Sequence, residues 1–173
     1  MIRTILYSTL IFIAGCASAP QPSDYALEKP TLDLRRYFNG TVDGWGTVQD
    51  RGGRVTRRFT VEISCAWNGD SGSLDERFQW SDGKTETRVW KIRKDGDHYI
   101  GTAGDVIGNA VGVSAGNALQ WNYRLALPAD LGGYKVSMDD WMWLIDEQTL
   151  ANKTVMSKFG IRLAEINIFF RKR

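Results

Sequence analysis

Two groups of side chains in this sequence could do chemistry. The first is a set of charges placed among aromatic residues. Glu76 sits in the alternation Glu76-Phe78-Trp80, and Glu86 and Arg88 sit in Glu86-Arg88-Trp90-Ile92. Asp140 sits in Tyr134-Val136-Met138-Asp140-Met142-Leu144. A charge buried without a partner is costly, so a barrel with a dry core would avoid this pattern. It fits a partly polar cavity, or charges that pair with one another near an open end. In a cavity, Glu76, Arg88 and Asp140 would meet a polar head group. Trp90, Trp121, Tyr123 and Met142 would line its apolar part. Acid–base catalysis is the other use of such carboxyls, and it needs two groups in reach with separated pKa values. Asp139-Asp140, followed by Asp146, is the place to look. In a strand, however, Asp139 and Asp140 point to opposite faces and cannot act as a dyad. The chain also lacks a Gly-x-Ser-x-Gly elbow, a Cys–His pair close in sequence and a nucleotide motif.

The second group is the thiols. Cys65 alternates with Val61 and Ile63, which marks it as a small buried hydrophobe. No basic or histidine neighbour activates it in sequence. The single histidine, His98, follows the turn signal Asp95-Gly96-Asp97 and reads as a surface residue. With no HxH, HExxH or CxxC spacing, neither a metal nor a cofactor is expected. Cys16 is different. Met1-Ile2-Arg3 supplies a positive charge, Thr4 to Ile13 an apolar run, and Ile13-Ala14-Gly15 leads directly into the cysteine. That run is too short for a permanent membrane helix and reads as a secretory signal over residues 1–15. Ile13-Ala14-Gly15-Cys16 resembles a bacterial lipobox, which implies cleavage before Cys16 and lipidation of its thiol and amine. Acylation by several chains gives stable anchoring where one alone is marginal. Ala17 after the cysteine resembles the outer-membrane sorting signal, so the expected location is the outer membrane, periplasm-facing. A lipidated Cys16 also leaves Cys65 without a disulfide partner.

These residues need elements to hold them. Residues 16–30, rich in Ala, Ser, Pro and Gln, read as the lipidated N-terminus and a flexible tether. Residues 31–173 read as one domain. Pro30 to Phe38 is a short helix or turn that closes one end. Nine strands follow: Gly40 to Gln49, Arg54 to Trp67, Gly72 to Ser81, Thr85 to Arg93, His98 to Ala103, Ala118 to Leu127, Tyr134 to Ile145, Leu150 to Ser157 and Ile161 to Arg171. Glycine and aspartate turns separate them, as in Asp50-Arg51-Gly52-Gly53 and Ser81-Asp82-Gly83-Lys84. The fold class is all-β, an antiparallel up-and-down barrel of about 8–10 strands, since closure removes unpaired edges. Gly104 to Asn117, with glycine recurring every four residues, falls outside the pattern. It reads as a glycine-rich strand or loop that permits close backbone approach, or else as a portal beside a cavity. Trp141, Trp143 and Ile145 share the face opposite Asp140. That face reads as interior with Asp140 toward water, in preference to an exposed aromatic stripe marking an interface.

The 173 residues carry 22 Lys and Arg against 20 Asp and Glu, interspersed along the chain. Such a balance implies neither nucleic acid nor an acidic membrane face. Several stretches together resemble an uncharacterised proteobacterial lipoprotein family known as domain of unknown function 3833. They include Asp50-Arg51-Gly52-Gly53-Arg54-Val55, Arg88-Val89-Trp90 and Gly104-Asp105-Val106-Ile107-Gly108. They continue with Gly116 to Tyr123, Asp139-Asp140-Trp141-Met142 and Met156-Ser157-Lys158-Phe159-Gly160. The resemblance covers nearly all of the mature chain and implies an envelope lipoprotein. It supplies no catalytic residues. Relatives tend to be encoded near enzymes that modify fatty acyl chains, which implies a link to lipids. The barrel is similar to the lipocalin-like class, with Gly44-Trp45-Gly46 a loose echo of the lipocalin Gly-x-Trp signature.

Three functions follow as expectations. The leading one is a barrel that binds a small hydrophobic ligand of fatty-acyl type, joined to the membrane by its anchor. The alternatives are an enzyme acting on lipid, of isomerase or cyclase kind, and a structural lipoprotein docking an envelope partner.

Overall fold

Alternating side chains over long runs, broken by Gly and Asp turns, give strands joined by hairpins. The computed structural model describes residues 18–173. The leader, the lipobox and Cys16 lie outside the described residues. Ten strands run in chain order: β1 (Gly40–Asp50), β2 (Val55–Asn68), β3 (Ser71–Trp80), β4 (Thr85–Asp95), β5 (His98–Thr102), β6 (Ala110–Ala115), β7 (Ala118–Ala126), β8 (Lys135–Leu144), β9 (Thr149–Lys158) and β10 (Ile161–Lys172). Each pairs antiparallel with the next, and β10 pairs with β1, so the sheet closes into a barrel. All ten strands and the elements that close the barrel fall within residues 18–173, which makes this stretch a folding unit of its own.

The structure has one strand more than the nine read from the sequence. β6 comes from the glycine-rich segment. There a Cβ at position 112 would lie 2.9 Å from the Trp121 ring, so glycine lets the indole lie flat on the strand. β5 and β6 are also short. β4 pairs with β5 only over Lys91 to Asp95, which leaves Thr85 to Trp90 without a strand neighbour on that side. The loop 103–109 fills the gap by bonding to β7. Ile107 N donates to Arg124 O at 2.9 Å, and Ala126 N donates to Asp105 O at 2.9 Å.

The antiparallel order puts alternate turns at opposite ends. One end is closed by a plug, helix α1 (Leu34–Tyr37), capped by Asp33, whose side chain accepts from Arg35 N. Leu34, Tyr37 and Phe38 are buried under the barrel floor. Tyr99 fixes the plug: its hydroxyl accepts from Leu34 N at 3.3 Å and donates to Asp33 Oδ1 at 3.4 Å. Trp67 Nε1 donates to Phe38 O at 2.7 Å. The turns at the other end, around residues 50–55, 80–85, 103–109, 126–135 and 158–161, have no such plug.

Part of the stretch read as tether lies against the barrel wall. A 3-10 turn over Pro22–Tyr25 packs beside β6 and β7. Leu32 N donates to Gly116 O at 2.8 Å. Gly116, at φ +54°, leaves room for this strap, since a Cβ there would lie 1.7 Å from Tyr25 O.

Candidate functional site

The inward faces of the strands do not fill the barrel. They enclose a cavity of about 840 Å³, within the size range of small-molecule sites, about 300–1,000 Å³. Its floor is Leu34 and Phe38 on the plug, and its walls are largely apolar, from Ile63, Leu74, Trp90, Trp121 and Phe170 among others. Residues of the unplugged end, including Arg57, Trp80, Lys84, Leu131 and Tyr134, also line it, so that end is its mouth. Arg57 lies over the Trp80 ring at 3.8 Å and pairs with Asp82 at 2.8 Å.

All seven residues singled out in the sequence, Glu76, Arg88, Trp90, Trp121, Tyr123, Asp140 and Met142, line this cavity. The charges among them pair only in part. Glu76 and Arg88 are direct cross-strand partners on β3 and β4, with Arg88 Nη1 3.8 Å from Glu76 Oε2. Arg88 turns its fork toward the loop instead, and donates from Nε and Nη2 to Asp105 Oδ2 at 3.1 and 2.7 Å. This pair bridges the gap where β4 has no strand neighbour. Glu76 Oε2 and Asp105 Oδ1 remain buried without a hydrogen-bond partner in the protein.

Asp140 is held across the cavity on β8. Tyr123 donates from its hydroxyl to Asp140 Oδ2 at 3.4 Å. Asn152 on β9 donates to Asp140 Oδ1, and also to Trp141 O at 2.9 Å. Thr154 donates to Asn152 Oδ1 at 3.5 Å. Sequence reasoning missed Asp105, Asn152 and Thr154. The alternation Leu150-Asn152-Thr154-Met156 could have marked the β9 pair as inward. Asp105 lies in a loop, where no periodicity could mark it.

Burial dominates the electrostatics. It raises the Glu76 carboxyl to about 7, and Asp105, Asp140 and Glu86 add to the rise, while Arg88 opposes it. Burial likewise raises Asp140 to about 7, against the stabilising hydrogen bonds of Asn152, Thr154 and Tyr123. Tyr123 is held well above the ordinary tyrosine range by burial and by Asp140. For Arg88 burial works against the charge, but Glu76 and Asp105 outweigh it and hold the guanidinium above its ordinary range. Two carboxyls in one cavity therefore titrate near neutrality.

The remaining candidates lie elsewhere. Asp139 points outward and accepts from Gln120 Nε2 at 2.6 Å. Asp146 is a turn acceptor for Gln148 N and Thr149 N, both at 2.8 Å. Neither lines the cavity. Cys65 is buried, and burial pushes its thiol up to about 12. His98 is exposed beside Asp97. Among the described residues, no group of three His, Cys, Asp or Glu is placed to hold a metal.

The reading that put Trp141 and Trp143 inside and Asp140 toward water is overturned. Asp140 is 8% exposed and lines the cavity, while the two indoles face outward. They stack on each other at 5.7 Å, and Tyr25 of the strap lies 5.8 Å from Trp141 and 6.3 Å from Trp143. The chain's own N-terminal segment thus covers the aromatic stripe, and Trp141 is buried from outside. Trp45 also faces outward, half-exposed, so the loose lipocalin echo has no matching core tryptophan.

A family model described as "Protein of unknown function (DUF3833)" matches residues 10–172. No curated protein matches the chain in sequence. Among solved structures, Rv2717c from M. tuberculosis is similar at TM-score 0.60 and 14% identity, covering 84% of this chain and 99% of that one. The S-type phycobiliprotein lyase CPES from Guillardia theta is similar at TM-score 0.55 and 6% identity, covering 89% of this chain and 99% of that one. At these identities the likeness concerns the fold alone.

Proposed function

The chain belongs to the DUF3833 family, and we propose that its barrel holds a small apolar or amphipathic ligand of fatty-acyl type. The observation that carries this reading is the cavity: a largely apolar chamber closed at the floor, open at the mouth, with polar groups midway. An acyl chain fits against Trp90, Trp121 and Met142. A head group fits at Arg88, Glu76 and Asp140, where Glu76 Oε2 lacks a partner. We further propose, from the lipobox alone, that Cys16 is lipidated and holds the barrel at the outer membrane on its periplasmic side.

Titration of residues 18–173 with long-chain fatty acids and fatty alcohols tests the ligand reading. Saturable quenching of tryptophan emission is expected, because Trp90 and Trp121 line the cavity. A fatty carboxylate binds more tightly at pH 6 than at pH 8, since Glu76 and Asp140 are then largely protonated and Arg88 is less neutralised. No saturable change, together with no copurifying lipid by mass spectrometry, overturns the reading.

One observation favours a second reading, catalysis on a lipid. Glu76 and Asp140 share the cavity, and both are raised to about 7, the range suited to proton transfer at neutral pH. Turnover of unsaturated acyl substrates that vanishes in Asp140→Asn would establish it. Unchanged substrate after prolonged incubation removes it.

A further inference from the structure

The mouth of the barrel is built differently from its floor. Residues 50–58, 80–86, 103–109, 126–135 and 158–162, which form the unplugged rim, carry eight Lys and Arg against five Asp and Glu. The plugged end, residues 31–40, 68–71, 93–98, 144–149 and 171–173, carries seven against six. All five of the rim's acids are already paired, in Arg54–Asp50, Arg57–Asp82, Lys84–Asp130, Arg88–Glu86 and Arg88–Asp105. Arg51, Arg58, Lys135 and Lys158 take part in none of the ion pairs among the described residues.

Apolar side chains project among these cations. Phe159, at the tip of the β9–β10 hairpin, is 92% exposed and has φ +51°, a left-handed conformation costly for a bulky residue. Val55, Leu131, Tyr134 and Ile161 around the same rim are also exposed. Lys158 Nζ lies 3.8 Å over the Tyr134 ring and 5.5 Å from that of Phe159. A lysine charge resting on an aromatic face beside exposed apolar side chains combines the basic and aromatic residues enriched at lipid–water interfaces. The strap meets the barrel at the β6–β7 turn, at the plugged end, and leaves the rim free.

We propose that the open rim docks on an anionic phospholipid surface, with Phe159 and its apolar neighbours in the interface and the unpaired cations on the head groups. The mouth of the cavity then faces the bilayer. This docking does not depend on the cavity being occupied, so it stands or falls separately from ligand binding.

The test is co-sedimentation of residues 18–173 with vesicles of phosphatidylglycerol and phosphatidylethanolamine, against vesicles of phosphatidylcholine alone, near physiological salt. The protein is expected to sediment with the anionic vesicles only, and to be released as salt rises. Each Lys or Arg near an anionic surface is worth about fivefold in binding, so K135Q/K158Q is expected to weaken partition about 30-fold. Phe159→Ser is expected to weaken it about tenfold or more, and since serine keeps the Cβ it adds no backbone strain. The plugged-end variant R36Q/R171Q sets the contrast and is expected to match the parent. Circular dichroism checks that each variant is folded. No binding to anionic vesicles, equal binding to both vesicle types, or equal losses from the two ends overturns the proposal.

Discussion

Glu76→Gln isolates the cost of keeping a carboxyl in the cavity. Glu76 stands at about 7 in the folded barrel against an ordinary value of 4.5. Folding therefore takes up a proton at this site between those values. Where the native state binds more protons than the unfolded state, stability falls as pH rises. The contribution is fully favourable below about pH 4.5 and is lost by about pH 7. At 1.36 kcal/mol per pH unit, the loss is about 3 kcal/mol from Glu76 alone. Asp140, raised from 3.8 to about 7, acts in the same direction. Because the two carboxyls interact, their apparent titrations belong to the pair. Paired surface acids such as Asp43, Asp50 and Asp82 are lowered instead, so they contribute only at more acid pH. The window from pH 5 to 8 thus belongs mainly to the cavity. Urea unfolding of residues 18–173 at pH 5, 6, 7 and 8 should show the parent losing stability steadily. In Glu76→Gln that loss should shrink by about 2–3 kcal/mol, whatever constant offset the amide introduces. A flat parent profile over this window, or a Glu76→Gln profile parallel to the parent's, refutes the reasoning.

Three further outcomes follow from packing. Gly112→Val pushes a side chain into the Trp121 ring and should destabilise by about 1–3 kcal/mol, lowering Tm by several degrees. Gly116→Ala sets a Cβ against Tyr25 O and should free the strap. Limited proteolysis before residue 30 should accelerate, and Trp141 and Trp143 emission should move to the red. Cys65, with its thiol pushed up to about 12, should be inert to a thiol reagent at pH 8 while folded and should react once unfolded.

Most of the barrel was legible in the sequence because strands write themselves locally. Period-two alternation fixed Phe59-Val61-Ile63-Cys65 and Leu119-Trp121-Tyr123-Leu125 as inward faces, and glycine turns fixed the hairpins between them. The charges in Glu76-Phe78-Trp80 and Glu86-Arg88-Trp90 already implied a cavity that is not dry. β6 was harder to see. Its single glycine, Gly112, makes room for Trp121 on the neighbouring strand, and no local signal distinguishes that use from a loop.

The sequence by itself determined the alternating faces of most strands, the antiparallel order and five of the residues that line the cavity, Glu76, Arg88, Trp90, Trp121 and Tyr123. Only the tertiary structure decided which way β8 faces. Both its sides carry large apolar side chains, and the outer side is buried by Tyr25, which lies more than a hundred residues away in sequence. It also decided that Arg88 pairs with Asp105, a loop residue brought in where β5 and β6 stop short. Charges interspersed along the chain imply no membrane face, yet four hairpins collect eight cations at the open end. The physical reason is the same in each case. Alternation records which residues share a strand face, whereas closure of the barrel determines which distant turns share an end.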